Sequence, residues 1–174
     1  MVEADSQARY LGAAPLVTSK AILGVAAQIV TVESRHQTFI RTASKAQAIP
    51  SSFDTPLGVR AVFTLAAGFI SSCPSGSNLN ITTFPAINQT TATQSLAAGQ
   101  TIQLTTTATG ATACAFTNGG LAGGSTFVDF TNGSCVIPPN LAGQTYITLT
   151  NAKPTDNVLT DAISVAGPLI ITPS

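Results

Sequence analysis

From Leu79 to its end the chain is cut by turn signals into runs too short for helices, and this limits the second half to β structure. The runs are Leu79 to Phe84, Thr101 to Thr106, Thr112 to Thr117, Thr126 to Thr131, Cys135 to Ile137, Thr145 to Thr150, Asn157 to Val165 and Leu169 to Thr172. Each is rich in β-branched or aromatic residues. Between them stand Ala98-Gly99-Gln100, Asn118-Gly119-Gly120, Asn132-Gly133 and Ala142-Gly143. Six to eight strands at this spacing indicate an antiparallel sandwich of Greek-key or immunoglobulin-like type. The Leu141 to Tyr146 segment has the form of a tyrosine corner, with Tyr146 then opposite Ile147 and Leu149.

The first part of the chain is helical. Ala4 to Leu11 predicts one helix, stopped by Gly12 with Pro15 in the turn. Thr18 or Ser19 then caps a long helix running without proline to about Ala46, with Arg41 and Lys45 where cations suit the dipole. After a Pro50-to-Pro56 linker, Leu57 to Ile70 predicts a shorter helix with Val59, Val62, Phe63, Ala66 and Ala67 on one side. The resulting fold class is α+β. A helical hairpin occupies 1–48, a linker with a short helix 49–76, and a β-sandwich 77–174.

Charge follows the same division. Ten of the 14 charged residues lie in Met1 to Arg60, which leaves Asp129, Lys153, Asp156 and Asp161 for the rest. With zero net charge, no Lys/Arg cluster and no Trp, the chain has neither the phosphate-neutralising surface nor the stacking platform that nucleic-acid binding needs. Ala21 to Val32, the longest apolar stretch, is interrupted by Gln28 and Thr31, so no membrane span is expected.

Three N-glycosylation sequons begin at Asn80, Asn88 and Asn132, in the Thr-rich, charge-poor half, and point to an extracellular or cell-surface glycoprotein. The acidic start Met1-Val2-Glu3-Ala4-Asp5 is unlike a secretory signal, so an exported protein would originally begin elsewhere. The three cysteines form no C-x-x-C pair. Cys114 and Cys135, in consecutive strand-like runs, are expected to form a disulfide, with Cys73 left free or paired outside the chain. Three reduced, buried thiols are the alternative.

Chemistry concentrates on the long helix. Glu33-Ser34-Arg35-His36 reads E-x-x-H, a spacing that four-helix carboxylate metal sites use. Ile22, Ile29, Glu33, His36 and Ile40 fall within roughly 60° of one another around a helix, which places the motif inside an apolar stripe. A buried carboxylate there needs a partner, either a metal or else an Arg or another carboxylate, and the non-metal alternative is a buried polar cluster hydrogen-bonded to Arg35 or Tyr10. No G-x-S-x-G accompanies His36, so a serine triad is not supported. Gly119-Gly120 and Gly123-Gly124 open no helix and read as hairpin turns. Asp129 is expected to face solvent, and Asp156 with Asp161 are too few oxygens for calcium.

With the E-x-x-H helix, Tyr10-Leu-Gly-Ala-Ala-Pro15, Phe53-Asp-Thr-Pro56, Phe69-Ile-Ser-Ser-Cys-Pro74 and Phe84-Pro-Ala-Ile87 in order, the chain resembles the C-terminal part of fungal ferritin-like domain proteins, some labelled stress- or desiccation-related. The resemblance implies the last two helices of a ferritin-like bundle followed by a sandwich, in a secreted or wall-associated protein. By it, Glu3 corresponds to the lone carboxylate of the third helix, and Glu33 with His36 to the E-x-x-H of the fourth. The first two bundle helices are missing and His36 is the only histidine, so half a dimetal site remains. A fragment, a processed product or a gene without its first half would account for this.

Two functional classes follow. The first is a non-enzymatic, structural or self-assembling surface or matrix protein that carries an incomplete metal site and no cofactor. The second is a di-iron or di-manganese carboxylate protein with redox chemistry, its site completed by a partner chain. The hairpin has no opposite layer for Leu23, Val30, Val32 and Phe39, so self-association through it, or packing on the sandwich, is expected, with a filament if contacts run head to tail.

Overall fold

The computed structural model describes residues 8, 10–76, 80–90 and 96–173. Residues 8 and 10–13 are helical and pass into a 3₁₀ turn at Ala14–Leu16, with Pro15 inside it. Helix α1 spans Lys20–Ala43 and α2 spans Val59–Ala67. Seven strands follow among the described residues: β1 Ile87–Gln89, β2 Thr101–Thr106, β3 Ala113–Thr117, β4 Ser125–Asp129, β5 Ser134–Val136, β6 Thr145–Thr150 and β7 Ser164–Ile171.

The strands form two antiparallel sheets, ordered β1-β2-β5 and β4-β3-β6-β7. Their inner faces enclose one apolar core that includes Ile102, Leu104, Phe116, Ile137, Ile147 and Leu149. The disulfide joins Cys114 of β3 to Cys135 of β5 with 6.4 Å between Cα atoms, so it crosses that core from sheet to sheet. At Asn132-Gly133 both residues have positive φ, 51° and 74°, which closes a tight turn, bridged from Thr131 to Ser134, where the chain passes from β4 in one sheet to β5 in the other.

Strand β6 is buried along its whole length because both its faces are covered. Ile147 and Leu149 point into the sandwich. Tyr146 points the other way, 1% exposed, against Ala8 and Leu57, with Val62, Leu65 and Ile170 around it. Its hydroxyl accepts a hydrogen bond from the Gln144 side-chain amide at 2.6 Å. The first helix, the Leu57 segment and α2 thus lie on the outer face of the four-stranded sheet and draw an otherwise amphipathic strand inside.

The segment between the helices is seated as a strap. A Cβ on Gly119 would lie 2.3 Å from the Phe53 carbonyl oxygen, and one on Gly143 2.6 Å from the Pro50 ring. Thr55 fastens the middle of the strap. Its hydroxyl donates to the Gln144 carbonyl at 3.2 Å and accepts from the Gly119 N–H at 2.9 Å. Asn118 holds the opposite wall: its amide nitrogen donates to the carbonyls of Ala142 and Gln144 and to the Thr145 hydroxyl. Among the described residues, no buried side-chain nitrogen or oxygen lacks a partner.

Several expectations are corrected. Gly12 does not stop the first helix, which continues through it to Ala13; the glycine instead admits the Leu57 backbone. Helix α1 ends at Ala43 rather than Ala46, because Lys45 takes a left-handed φ of 58°. Helix α2 is shorter than the Leu57 to Ile70 pattern, and its inward residues are Ala61, Val62 and Leu65, while Val59 is exposed. In the Leu79 to Phe84 run, residues 80–84 are not a strand. The Arg60 guanidinium takes the carbonyls of Thr82 and Thr83, at 2.7 and 3.4 Å, and lies 3.7 Å over the Phe84 ring, so a side chain replaces a neighbouring strand as partner. Residues 157–163 form turns with a single bridge from Val158 to Gly124, and the last strand begins at Ser164.

Candidate functional site

Helix α1 positions the E-x-x-H residues. Ser19 caps it by accepting from the Ile22 N–H at 3.4 Å, and Arg41 occupies its last turn, where its Nε donates to the Gln47 carbonyl at 2.7 Å. Glu33 and His36 follow at i and i+3, one turn apart on adjoining sides of the helix.

The face they occupy is the reverse of the one expected. No residue of α1 is buried. Leu23, Ala26, Val30, Ser34, Gln37, Thr38 and Arg41 are half-buried and turn towards the rest of the molecule, while Ile22, Ile29, His36 and Ile40 are exposed and Glu33 lies at the boundary. The inward side tolerates its hydroxyls because they bond to the helix itself: Ser34 Oγ donates to the Val30 carbonyl and Thr38 Oγ1 to the Ser34 carbonyl, both at 2.9 Å. The motif is therefore not buried: His36 is exposed and Glu33 only half-buried.

A cavity of about 240 Å³ opens where α1, the strap and the sandwich meet, lined by Ser34, Thr38, Arg41, Asp54, Gln144 and Tyr146 among others. Neither Glu33 nor His36 is among its described lining residues. The structure thus separates the sequence-derived ligands from this cavity, and a second, shallower depression on the same helix, lined by Ser34, Arg35, Thr38 and Phe39, does not include them either.

Glu3, the third candidate ligand, lies outside the described residues. Among the described residues, no group of three or more His, Cys, Asp or Glu side chains converges. A dimetal centre requires several carboxylates and two imidazoles from facing helices. Among the described residues, one carboxylate and one imidazole on a single helix fall short of that requirement.

The remaining candidates sit on the sandwich. Asn80, Asn88 and Asn132 are all exposed: Asn80 in the segment beside α2, Asn88 on edge strand β1 and Asn132 at the β4–β5 turn. Cys73 is exposed and outside the disulfide. Asp129 is exposed as expected and pairs with Lys153 across the surface. The cavity was not legible in the sequence, because its walls come from four separate stretches, around Ala8, Ser34 to Arg41, Ala48 to Thr55 and Ala142 to Tyr146, and no local pattern marks them. Among the described residues, no helix is long and apolar enough to cross a membrane.

No curated protein matches the chain. Its first 46 residues, which end just past α1, match the family model described as ferritin-like domain, and so this segment is similar to that domain, while α2 and the sandwich lie outside the match.

Proposed function

We propose that this is a non-enzymatic extracellular surface or matrix glycoprotein, structural and self-assembling, of the fungal stress- or desiccation-related ferritin-like type. The observation that carries the reading is the sheet-to-sheet disulfide, set in a sandwich whose three sequon asparagines are all exposed. A structural bridge of this kind persists in oxidising compartments, and exposed asparagines are what a glycosylating enzyme can reach. The ferritin-like helices serve in this reading as an assembly element with an incomplete metal site and no cofactor.

Expression in a secreting, glycosylating host tests it. The product should leave the cell oxidised at Cys114 and Cys135 and lose mass on enzymatic removal of N-linked glycans, in steps that disappear in Asn80→Gln, Asn88→Gln and Asn132→Gln. Retention inside the cell with no glycan on any of the three would refute the reading.

The E-x-x-H spacing and the ferritin-like match favour a second reading, a di-iron or di-manganese carboxylate protein with redox chemistry completed by a partner chain. Metal analysis separates the two. Under the first, purified protein holds well under one equivalent of iron or manganese per chain; under the second, it approaches one and loses the metal in Glu33→Ala.

A further inference from the structure

The outward side of α1 carries a second apolar period, which is exposed rather than turned towards the other described elements. Ile22, Val25, Ile29, Val32, His36 and Phe39 follow one another in alternating steps of three and four residues, the spacing of heptad a and d positions. A helix lying on a flat surface presents a broader apolar face than this narrow seam. The seam is open to solvent: Ile22 is 62% exposed, Val25 57%, Ile29 and Val32 37% each, and Phe39 75%.

We propose that this seam pairs with the same seam of a second copy, antiparallel, which makes α1 the interface of a two-fold dimer. The inference rests on the self-assembling reading above and specifies its contact. Antiparallel pairing about the middle of the helix sets Ile29 against Val32, Val25 against His36 and Ile22 against Phe39, so each large side chain meets a smaller one. Parallel pairing would instead stack His36 on His36 and Phe39 on Phe39 in neighbouring layers, with Arg35 beside them. The flanking positions agree. Antiparallel, Glu33 faces Ala26 and Arg35 faces Gln28, so no like charges meet across the seam.

The area is sufficient. With Ile40 at the edge, the exposed fractions amount to about three whole side chains. At roughly 150 Å² each, the lower end of the range for large aromatic side chains, that is at most about 500 Å² per copy, and on the order of 1,000 Å² for the pair, the lower limit for a specific interface. A two-fold contact uses the same patch on both copies and closes at two, so the helix itself propagates no filament.

Sedimentation equilibrium of the intact chain across nanomolar to micromolar concentrations tests this. We expect a reversible dimer. Ile29→Glu and Val32→Glu should each weaken it by at least about 100-fold, because each places two carboxylates in the seam. Ala27→Glu, exposed but off the seam, should leave it unchanged, and circular dichroism should be alike for all three variants. In a Cys73→Ser background, mixing Ile29→Cys with Val32→Cys chains should give a mixed disulfide in preference to either homodimer. Homodimeric cross-links alone would overturn the antiparallel arrangement. Association that survives both Glu variants would overturn the seam while leaving self-assembly standing, and a monomer at every concentration would overturn both. A monomer whose seam instead binds lipid vesicles, with loss in the Glu variants, would assign the stripe to a membrane surface and overturn the dimer.

Discussion

A Cβ placed on Gly12 would come within 1.7 Å of the Leu57 carbonyl oxygen, so the first helix and the strap meet backbone to backbone. The Leu57 N–H also donates to the Ala8 carbonyl at 3.3 Å. Glycine here is a matter of approach, since Gly12 keeps an ordinary helical conformation.

Gly12→Ala should therefore destabilise the protein. Helix propensity alone would favour the alanine by up to about 1 kcal/mol, but forcing a methyl into a backbone contact costs about 1–3 kcal/mol, and at this distance the upper end applies. Urea unfolding should show the loss. A neutral or stabilised Gly12→Ala would mean that the helix and the strap do not touch.

Removing the inter-sheet bridge should cost about 3 kcal/mol, the closure entropy of a loop with its sequence separation of 21. The measurement is the urea midpoint of the Cys114→Ala/Cys135→Ala double variant against the parent. Cys73→Ser, at an exposed position, should stay within about 0.5 kcal/mol. A large loss from Cys73→Ser with none from the pair would invert the assignment.

Asn118 is 3% exposed and serves three acceptors with one amide nitrogen. Asn118→Ala should cost about 1–3 kcal/mol through the acceptors left unpaired in a buried loop. Asn118→Asp keeps the size but turns acceptors towards acceptors, and should cost at least as much. Thermal midpoints of the two variants rank them, and an Asp variant as stable as the parent would show that the loop carbonyls are hydrated.

The sandwich was legible wherever the strand pattern was self-contained. Thr101 to Thr106 and Thr145 to Thr150 form strands with the expected bounds, because alternation and flanking turns act over a few residues. Residues 80–84 carry similar composition, yet Arg60 from another element supplies their partner. The tyrosine corner pattern at Tyr146 indicated the side opposite Ile147 and Leu149 but not that two helices and the strap would cover it.

The long helix shows the complementary limit. Its cap at Ser19 and its length are local and readable, whereas the side it turns inward depends on what else the chain can bring against it. Ile22, Ile29 and Ile40 form the more apolar stripe, but the sandwich and strap meet Ser34, Thr38 and Arg41 instead. The i, i+3 spacing of Glu33 and His36 and the lack of a second histidine were visible, but the exposure of His36 was not, since which side of a helix is covered depends on several elements together.

Tyr146 has a consequence for how the molecule melts. Its ring is enclosed by Ala8 from the first helix and Leu57 from the strap, with Val62 and Leu65 from α2 alongside, while its backbone pairs with both β3 and β7. Loosening the helices uncovers β6, and unpairing β6 removes the floor on which they rest. Neither can give way first without cost to the other, so the described fold should show a single cooperative heat-absorption peak by calorimetry, with no earlier transition for the helical layer.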